Sequence, residues 1–242
     1  MDAVILAAGR GRRLRPLTDE LPKALLPVDG RPLLEQLIMN LSKAGIESFT
    51  LVVGFLGDLV VSFLKEEGLA GKLEIDFVYQ REQLGSAHAL RQVKLRGGDY
   101  LVSACDCLYP VGYLKKFLEF HFTGGQDITL ALKKLSPEEM SESSTVLLEK
   151  DKVTKIIEKP SREEFLSPIA CAPLYIFPPG SEGFIQGVKK SKRGEYEITS
   201  VIQNMLDSGY GARGLQVKEW AHLSDTRDLL RLNFPYLKRL LE

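Results

Sequence analysis

Apolar residues in the first half of the chain follow two alternating rhythms. Residues 3–7, 49–53, 73–79 and 100–104 are short apolar or β-branched runs bounded by glycine or polar residues, the pattern of strands buried inside a sheet. Between them, apolar positions fall three and four apart. Leu34, Leu37, Ile38 and Leu41 do so behind Pro32, a favourable first-turn residue, and Gly45 supplies a stop, which predicts a helix. Residues 59–64, 87–93 and 114–120 repeat the helical spacing. Strand and helix in alternation predict an α/β fold, Rossmann-like, with a mainly parallel mixed sheet flanked by helices.

The rhythm changes after about residue 125. Residues 128–132 read as a strand, and residues 146–148 and 153–157 read as a β-hairpin around Lys150-Asp151, an arrangement expected to form a lid over the site. A strand over 174–177 ends at Pro178-Pro179, and helices are predicted over 198–206 and 229–241. No linker, internal repeat or hexapeptide array interrupts the chain, so residues 1–242 are read as a single domain.

Composition narrows the class. The chain is 44% hydrophobic and 26% charged, ordinary values for a globular protein. Its 32 basic residues balance 32 acidic ones, which argues against nucleic acid as a partner but leaves room for a local anion site. The three cysteines, Cys105, Cys107 and Cys171, make neither a disulfide framework nor a zinc motif, and point to a reducing cytoplasm. Residues 1–8 lack the basic start of a signal peptide and are broken by Gly9, so a cytoplasmic location with no membrane segment is expected.

The most informative stretch follows the first strand. Gly9-Arg10-Gly11-Arg12-Arg13-Leu14 leads to Pro16-Leu17-Thr18 and then to Pro22-Lys23-Ala24-Leu25-Leu26-Pro27. Glycines and small residues let backbone N–H groups approach a polyphosphate, and Arg13 and Lys23 add fixed positive charge. A dinucleotide fingerprint fails because Leu14 stands where a third glycine is needed, and a P-loop fails because Lys23 is flanked by Pro22 and Ala24. A solvated basic loop is the plain alternative.

These residues, with Gly30 and Pro32, resemble the opening of the sugar-phosphate nucleotidyltransferase family, its sugar-1-phosphate uridylyl- and thymidylyltransferase-like members above all. The resemblance implies a single nucleotidyltransferase catalytic domain whose loop wraps the triphosphate. Leu6, Ala8, Gly9, Gly11, Arg12 and Arg13 would bind the nucleotide, Arg13 would steady the departing pyrophosphate, and Lys23 would contact phosphates of both reactants. Gln80, Gly85 and Ser86 resemble the base-reading segment and favour a pyrimidine triphosphate; the alternative is a helix start capped by Ser86.

Asp106 ends the strand over 101–104, where open α/β sheets present ligand groups. The family places a Mg²⁺-binding Asp there, and a carboxylate suits that hard cation. Glu158-Lys159-Pro160 resembles the family's Glu-Lys-Pro, which implies sugar contact by Glu158 and phosphate contact by Lys159, while Glu195 and Glu197 lie in a segment resembling a sugar-contacting one. Solvated charges are the alternative for each. Two departures stand out. Cys171 replaces an amide in the sugar site, and His222 follows Trp220 where the family has a second metal-binding Asp. Asp225 is the other candidate ligand, and the preferred reading holds Mg²⁺ by Asp106 and the phosphates alone.

The expected activity is transfer of a nucleotidyl group from UTP or dTTP to a sugar 1-phosphate, with Arg13, Lys23, Asp106 and Lys159 carrying catalysis. A cytidylyltransferase for a non-sugar phosphate and a non-catalytic sugar-nucleotide sensor are the rivals, the second because of His222. A homo-oligomer is left open.

Overall fold

A strand at the centre of a sheet needs apolar residues on both faces, and the first strand supplies them. In the computed structural model, which describes residues 1–125 and 127–234, β1 (Asp2–Ala7) turns Ala3, Ile5 and Ala7 into one hydrophobic core and Val4 into another. The period of two is that of a pleated strand. Eight further strands follow: β2 (Ser48–Val53), β3 (Glu74–Tyr79), β4 (Tyr100–Ala104), β5 (Ile128–Lys134), β6 (Ser144–Glu149), β7 (Lys152–Glu158), β8 (Ile169–Phe177) and β9 (Ala212–Gln216).

They form one nine-stranded sheet in the order β3-β2-β1-β4-β8-β5-β9-β7-β6. The first four strands are all parallel. Beyond them β8 runs antiparallel to β4 and β5, β9 runs parallel to β5, and β7 runs antiparallel to β9 and β6. The sheet is therefore parallel where β-α units build it and mixed where the hairpin does.

Helices cover both faces. α1 (Leu33–Lys43) buries Leu33, Leu34, Leu37, Ile38 and Leu41; with α2 (Gly57–Glu66) and α4 (Val111–Phe122) it closes the core that holds Ala3, Ile5 and Ala7. On the opposite face lie α3 (Ser86–Leu90) and α5 (Ile198–Asp207), whose Ile198, Val201, Ile202 and Met205 belong to the same core as Val4, Val52 and Val102. A third, smaller cluster joins Leu14, Leu26, Val28, Leu33 and Leu223, with Leu229 and Leu232 of α6 (Thr226–Asn233) against it. Through that cluster the end of the described chain braces the loop after β1.

Three sequence expectations shift. The helix over 87–93 stops at Leu90, because Gln92 N and Val93 N bond back only three residues while the Arg91 guanidinium reaches the carbonyls of Ile185 and Val188. β9 is an addition to the expected strands; its Ala-Arg-Gly-Leu-Gln carries no β-branched residue to announce it. The last helix is described to Asn233, and residues 235–241 of the expected span lie outside the described residues. The hairpin of β6 and β7 forms the edge of the sheet itself, registered to β9 at Lys152 opposite Arg213. No helix among the described residues is long and apolar enough to cross a membrane.

Candidate active site

The loop after β1 is shaped by close packing. Gly11 has a left-handed backbone, φ 61°, and a side chain there would come within 3.0 Å of Thr18 Cγ2. Thr18, buried, donates its hydroxyl to the Gly11 carbonyl at 2.9 Å. The glycine thus satisfies both a conformation and a contact that other residues resist. Pro22 then sets a tight turn in which Leu25 N bonds Pro22 O at 2.8 Å. Ala24 and Leu25 enter the core, which turns Lys23 toward the same loop.

Asp106 follows β4 at the carboxyl edge of the parallel strands. Its Oδ2 sits 2.6 Å from Lys23 Nζ and 3.6 Å from His222 Nε2, and Cys107 Sγ lies 3.4 Å from Oδ1. Burial alone would raise the Asp106 pKa, but the Lys23 ammonium and His222 hold its carboxyl well below the usual carboxylate range. The same pairing acts on Lys23, where burial works to lower the pKa and the Asp106 carboxylate overcomes it. Both groups are charged. A cavity of about 280 Å³ is lined by Leu6, Gly9, Gly11, Arg12, Arg13, Lys23, Cys105, Asp106 and Ser224, so the loop and the ion pair share one space.

His222 reaches this place by backbone pairing. Ala221–His222 form a short antiparallel ladder with Cys107–Leu108, and Leu223 N donates to Asp106 O at 2.9 Å. Asp225 is engaged elsewhere. Its carboxylate caps α6, accepting from Arg227 N and Asp228 N.

Gln80, buried at the end of β3, donates from Nε2 to Gly85 O at 3.2 Å and lies 2.9 Å from His88 Nδ1. Gly85 O can only accept, so it fixes which end of the amide faces it. Gly85 itself lies against Tyr196, where a side chain would fall 2.3 Å from the Tyr196 carbonyl. Ser86 does not cap its own helix. Its hydroxyl accepts from Ile198 N at 3.1 Å, at the start of α5.

A second cavity, about 250 Å³, adjoins the first through Leu6 and Ala104. Neither alone reaches the roughly 300 Å³ of a small ligand cleft, but the pair does. Its walls include Glu158, Lys159, Pro173, Tyr175, Arg193, Glu195, Glu197 and Thr199. Lys159 is left-handed, φ 40°, with its N–H bonded to Ser143 O at 2.6 Å; for a non-glycine residue such a backbone costs about 1–2 kcal/mol and gathers at functional sites. Arg193 Nη1 pairs with Glu197 Oε1 at 2.8 Å. Burial, with the Glu197 charge adding to it, pushes the Glu158 carboxyl up to about 7.

Most sequence-predicted residues therefore converge: Leu6, Gly9, Gly11, Arg12, Arg13, Lys23 and Asp106 in the first cavity, Ser86, Glu158, Lys159, Glu195 and Glu197 in the second. Ala8 is buried beside Gly54. Cys171 is 5% exposed, with its thiol pushed up to about 12 by burial, and the lining from this strand comes from Pro173 and Tyr175. Arg193 escapes the sequence reading. Its signal is the four-residue step to Glu197, which reads equally as a surface pair.

The chain is 31% identical over 222 residues to the UTP-glucose-1-phosphate uridylyltransferase AglF of Haloferax volcanii, covering 91% of this chain and 89% of that protein. It is 27% identical over 245 residues to the bifunctional protein GlmU of Methanococcus maripaludis, covering all of this chain but 56% of that protein, so it spans about half the length of such relatives. A crystal structure of UDP-glucose pyrophosphorylase complexed with UDP-glucose superposes with a TM-score of 0.87 at 22% identity, over 98% of each chain, a likeness of fold. The family model described as nucleotidyl transferase matches residues 2–239, and the chain belongs to that family.

Proposed function

We propose that this chain is a catalytic domain, spanning residues 1–242, that transfers a nucleotidyl group from UTP or dTTP to a sugar 1-phosphate. A non-bridging oxygen of the sugar phosphate attacks the α-phosphorus in line, the bond from the α-phosphorus to the oxygen bridging it to the β-phosphorus breaks, and pyrophosphate leaves with the electron pair. The sugar phosphate is already an anion at neutral pH, so no protein nucleophile is needed. The protein's part is to align two anions and neutralise their repulsion.

The observation that carries this reading is the meeting of two unlike cavities at Leu6 and Ala104, one walled by glycines, arginines and Lys23, the other by carboxylates and Arg193. Backbone donors of the loop and Arg13 hold the triphosphate and the departing pyrophosphate. Lys23 exchanges its Asp106 contact for phosphate oxygens. Lys159 and Arg193 receive the sugar phosphate, and Glu158, Glu195 and Glu197 accept hydroxyl hydrogens. Gln80 presents its Oε1 to the base, since both amide hydrogens are engaged by Gly85 O and His88 Nδ1; an acceptor there suits the ring N–H of uracil or thymine and not the bare N3 of cytosine.

The reaction class implies a divalent cation, which supplies charge neutralisation on phosphate oxygens. Asp106 would hold it. The donors gathered here, a carboxylate with an imidazole and a thiol beside it, fit a divalent cation but are a poor match to Mg²⁺, which prefers oxygen throughout. The cytoplasmic setting read from the cysteines is part of the proposal.

Pyrophosphate release over a matrix of triphosphates and sugar 1-phosphates, with Mg²⁺ and Mn²⁺ in parallel, tests it. We expect turnover with UTP or dTTP and at least one sugar 1-phosphate. Nucleotide binding without release from any pair would select the sensor, and turnover confined to CTP would select the cytidylyl rival.

A further inference from the structure

Among the described residues, Asp106, Cys107 and His222 bring three kinds of metal-binding atom within 4.8 Å of one another. Imidazole, unlike carboxylate, water or phosphate, is a nitrogen donor, and its position here is fixed by the main chain. The ladder of residues 221–222 against 107–108 sets His222 opposite Cys107. The ring is held flat by stacking: its centroid lies 5.3 Å from that of Trp220 at 13° between planes, and Trp220 rests on Tyr109 and under Lys133 Nζ, 4.4 Å from the ring.

So placed, Nε2 stands 3.6 Å from Asp106 Oδ2. That is too long for a useful hydrogen bond. It is close to the separation of two ligands of one ion, roughly 3 to 3.6 Å when both bonds are near 2.1 Å. Asp106 faces the cavity that holds the glycine loop, so an ion bound between the two side chains would border the phosphates. Cys107 is fully buried and its thiol points at Oδ1, which leaves Oδ2 and Nε2 as the facing donors.

We infer that this site selects Mn²⁺ over Mg²⁺, with His222 Nε2 as a ligand beside Asp106. Divalent first-row ions accept imidazole, and Mn²⁺ combines that tolerance with the oxygen coordination that phosphates offer, whereas Mg²⁺ gives up water for nitrogen reluctantly. Lys23 Nζ at 2.6 Å from the same Oδ2 competes for the carboxylate. Binding of the ion alone is therefore weak, and it tightens when a triphosphate draws the ammonium away. The inference rests on the proposed transfer only in placing phosphates beside the ion.

The protein carries its own reporter, because Trp220 is its sole tryptophan and lies on the ring in question. Mn²⁺ is paramagnetic and quenches a nearby indole; Mg²⁺ does not. The experiment titrates the whole chain with Mn²⁺ alone, without sugar phosphate, following Trp220 emission and, independently, free Mn²⁺ by electron paramagnetic resonance, and then displaces Mn²⁺ with Mg²⁺. Saturable quenching is expected, reversed only by a large Mg²⁺ excess. In His222→Asp the Mn²⁺-to-Mg²⁺ affinity ratio should fall at least tenfold, and in His222→Gln Mn²⁺ affinity itself should fall. A melting curve and unperturbed emission of the free variants guard against misfolding, and the resonance signal reads the ratio without Trp220.

An affinity ratio equal in the wild type and both variants overturns the inference. A chain that releases no pyrophosphate yet shows the His222-dependent preference defeats the transfer reading and leaves this one standing. One that turns over equally with both ions, with and without His222, does the reverse.

Discussion

The two cavities solve opposite problems. Around the glycine loop the ligand groups are cations and backbone N–H groups, with a single carboxylate already paired to Lys23 at 2.6 Å. At the other end carboxylates crowd together, Glu158 beside Glu197, and Thr199, Lys159 and Arg193 offset the crowding, Arg193 by pairing with Glu197. A polyphosphate needs its charge matched, so short-range sequence suffices: small residues at a turn and a few fixed cations. A sugar is neutral apart from its phosphate, so on the proposed reading it would be held by acceptors in a half-dry pocket, and those acceptors repel one another. Burial, with the Glu197 charge adding to it, pushes the Glu158 carboxyl up to about 7, and a carboxyl can donate when protonated and accept when ionised.

The contrast can be broken at its strongest point first. Lys23→Ala removes the cation proposed to neutralise phosphate charge and Asp106→Ala the carboxylate proposed to hold the divalent ion, and each should lower kcat by about a thousandfold, with circular dichroism unchanged; near-wild-type turnover in either would mean that the pairing is structural only. Arg193→Gln should separate the two ends. It should raise KM for the sugar phosphate by roughly tenfold, the usual worth of a hydrogen bond to a charged group, while KM for the triphosphate stays put. An equal rise in both would show one continuous site and not two.

The smallest effect is thermodynamic. Glu158 keeps its proton to about pH 7 in the folded chain against a reference value of 4.5. The folded state therefore binds the proton more tightly, and stability falls as pH rises from 4.5 to about 7, with the full deficit present above that window. Glu158→Gln should abolish the loss. In urea titrations it should gain stability on the order of 3 kcal/mol over wild type at pH 8, and the gain should vanish near pH 4. A pH-independent difference would show that the carboxyl is not held near neutrality.

What can be read from the chain alone tracks these differences. The inner parallel strands and α1 announce themselves because burial forces apolar runs and stripes, the edge strand β3 shows only half-buried Ile75 and Phe77 alternating with exposed Glu74 and Asp76, and residues 9–27 are legible because turn chemistry is local. Ser86 reads as a cap or a base contact, yet its hydroxyl serves Ile198, far along the chain. No local pattern records such a partner. β9 is hidden by its mixed composition, and Arg193 by the ambiguity of a charged pair four residues apart. His222 is visible as a departure, but only the ladder with residues 107–108 shows which carboxylate it faces, while Asp225 is taken by the cap of α6.

That ladder also bears on how the molecule comes into being. A ribosome delivers β1 to β4 early, and nascent domains organise from the N-terminal side, so the glycine turn and the parallel strands can meet before β9 exists. His222, which faces Asp106 across that ladder, follows all nine strands in the chain. Until residues 221–223 thread back along 107–108, a growing chain has the glycine turn and the parallel strands without this wall of the cavity.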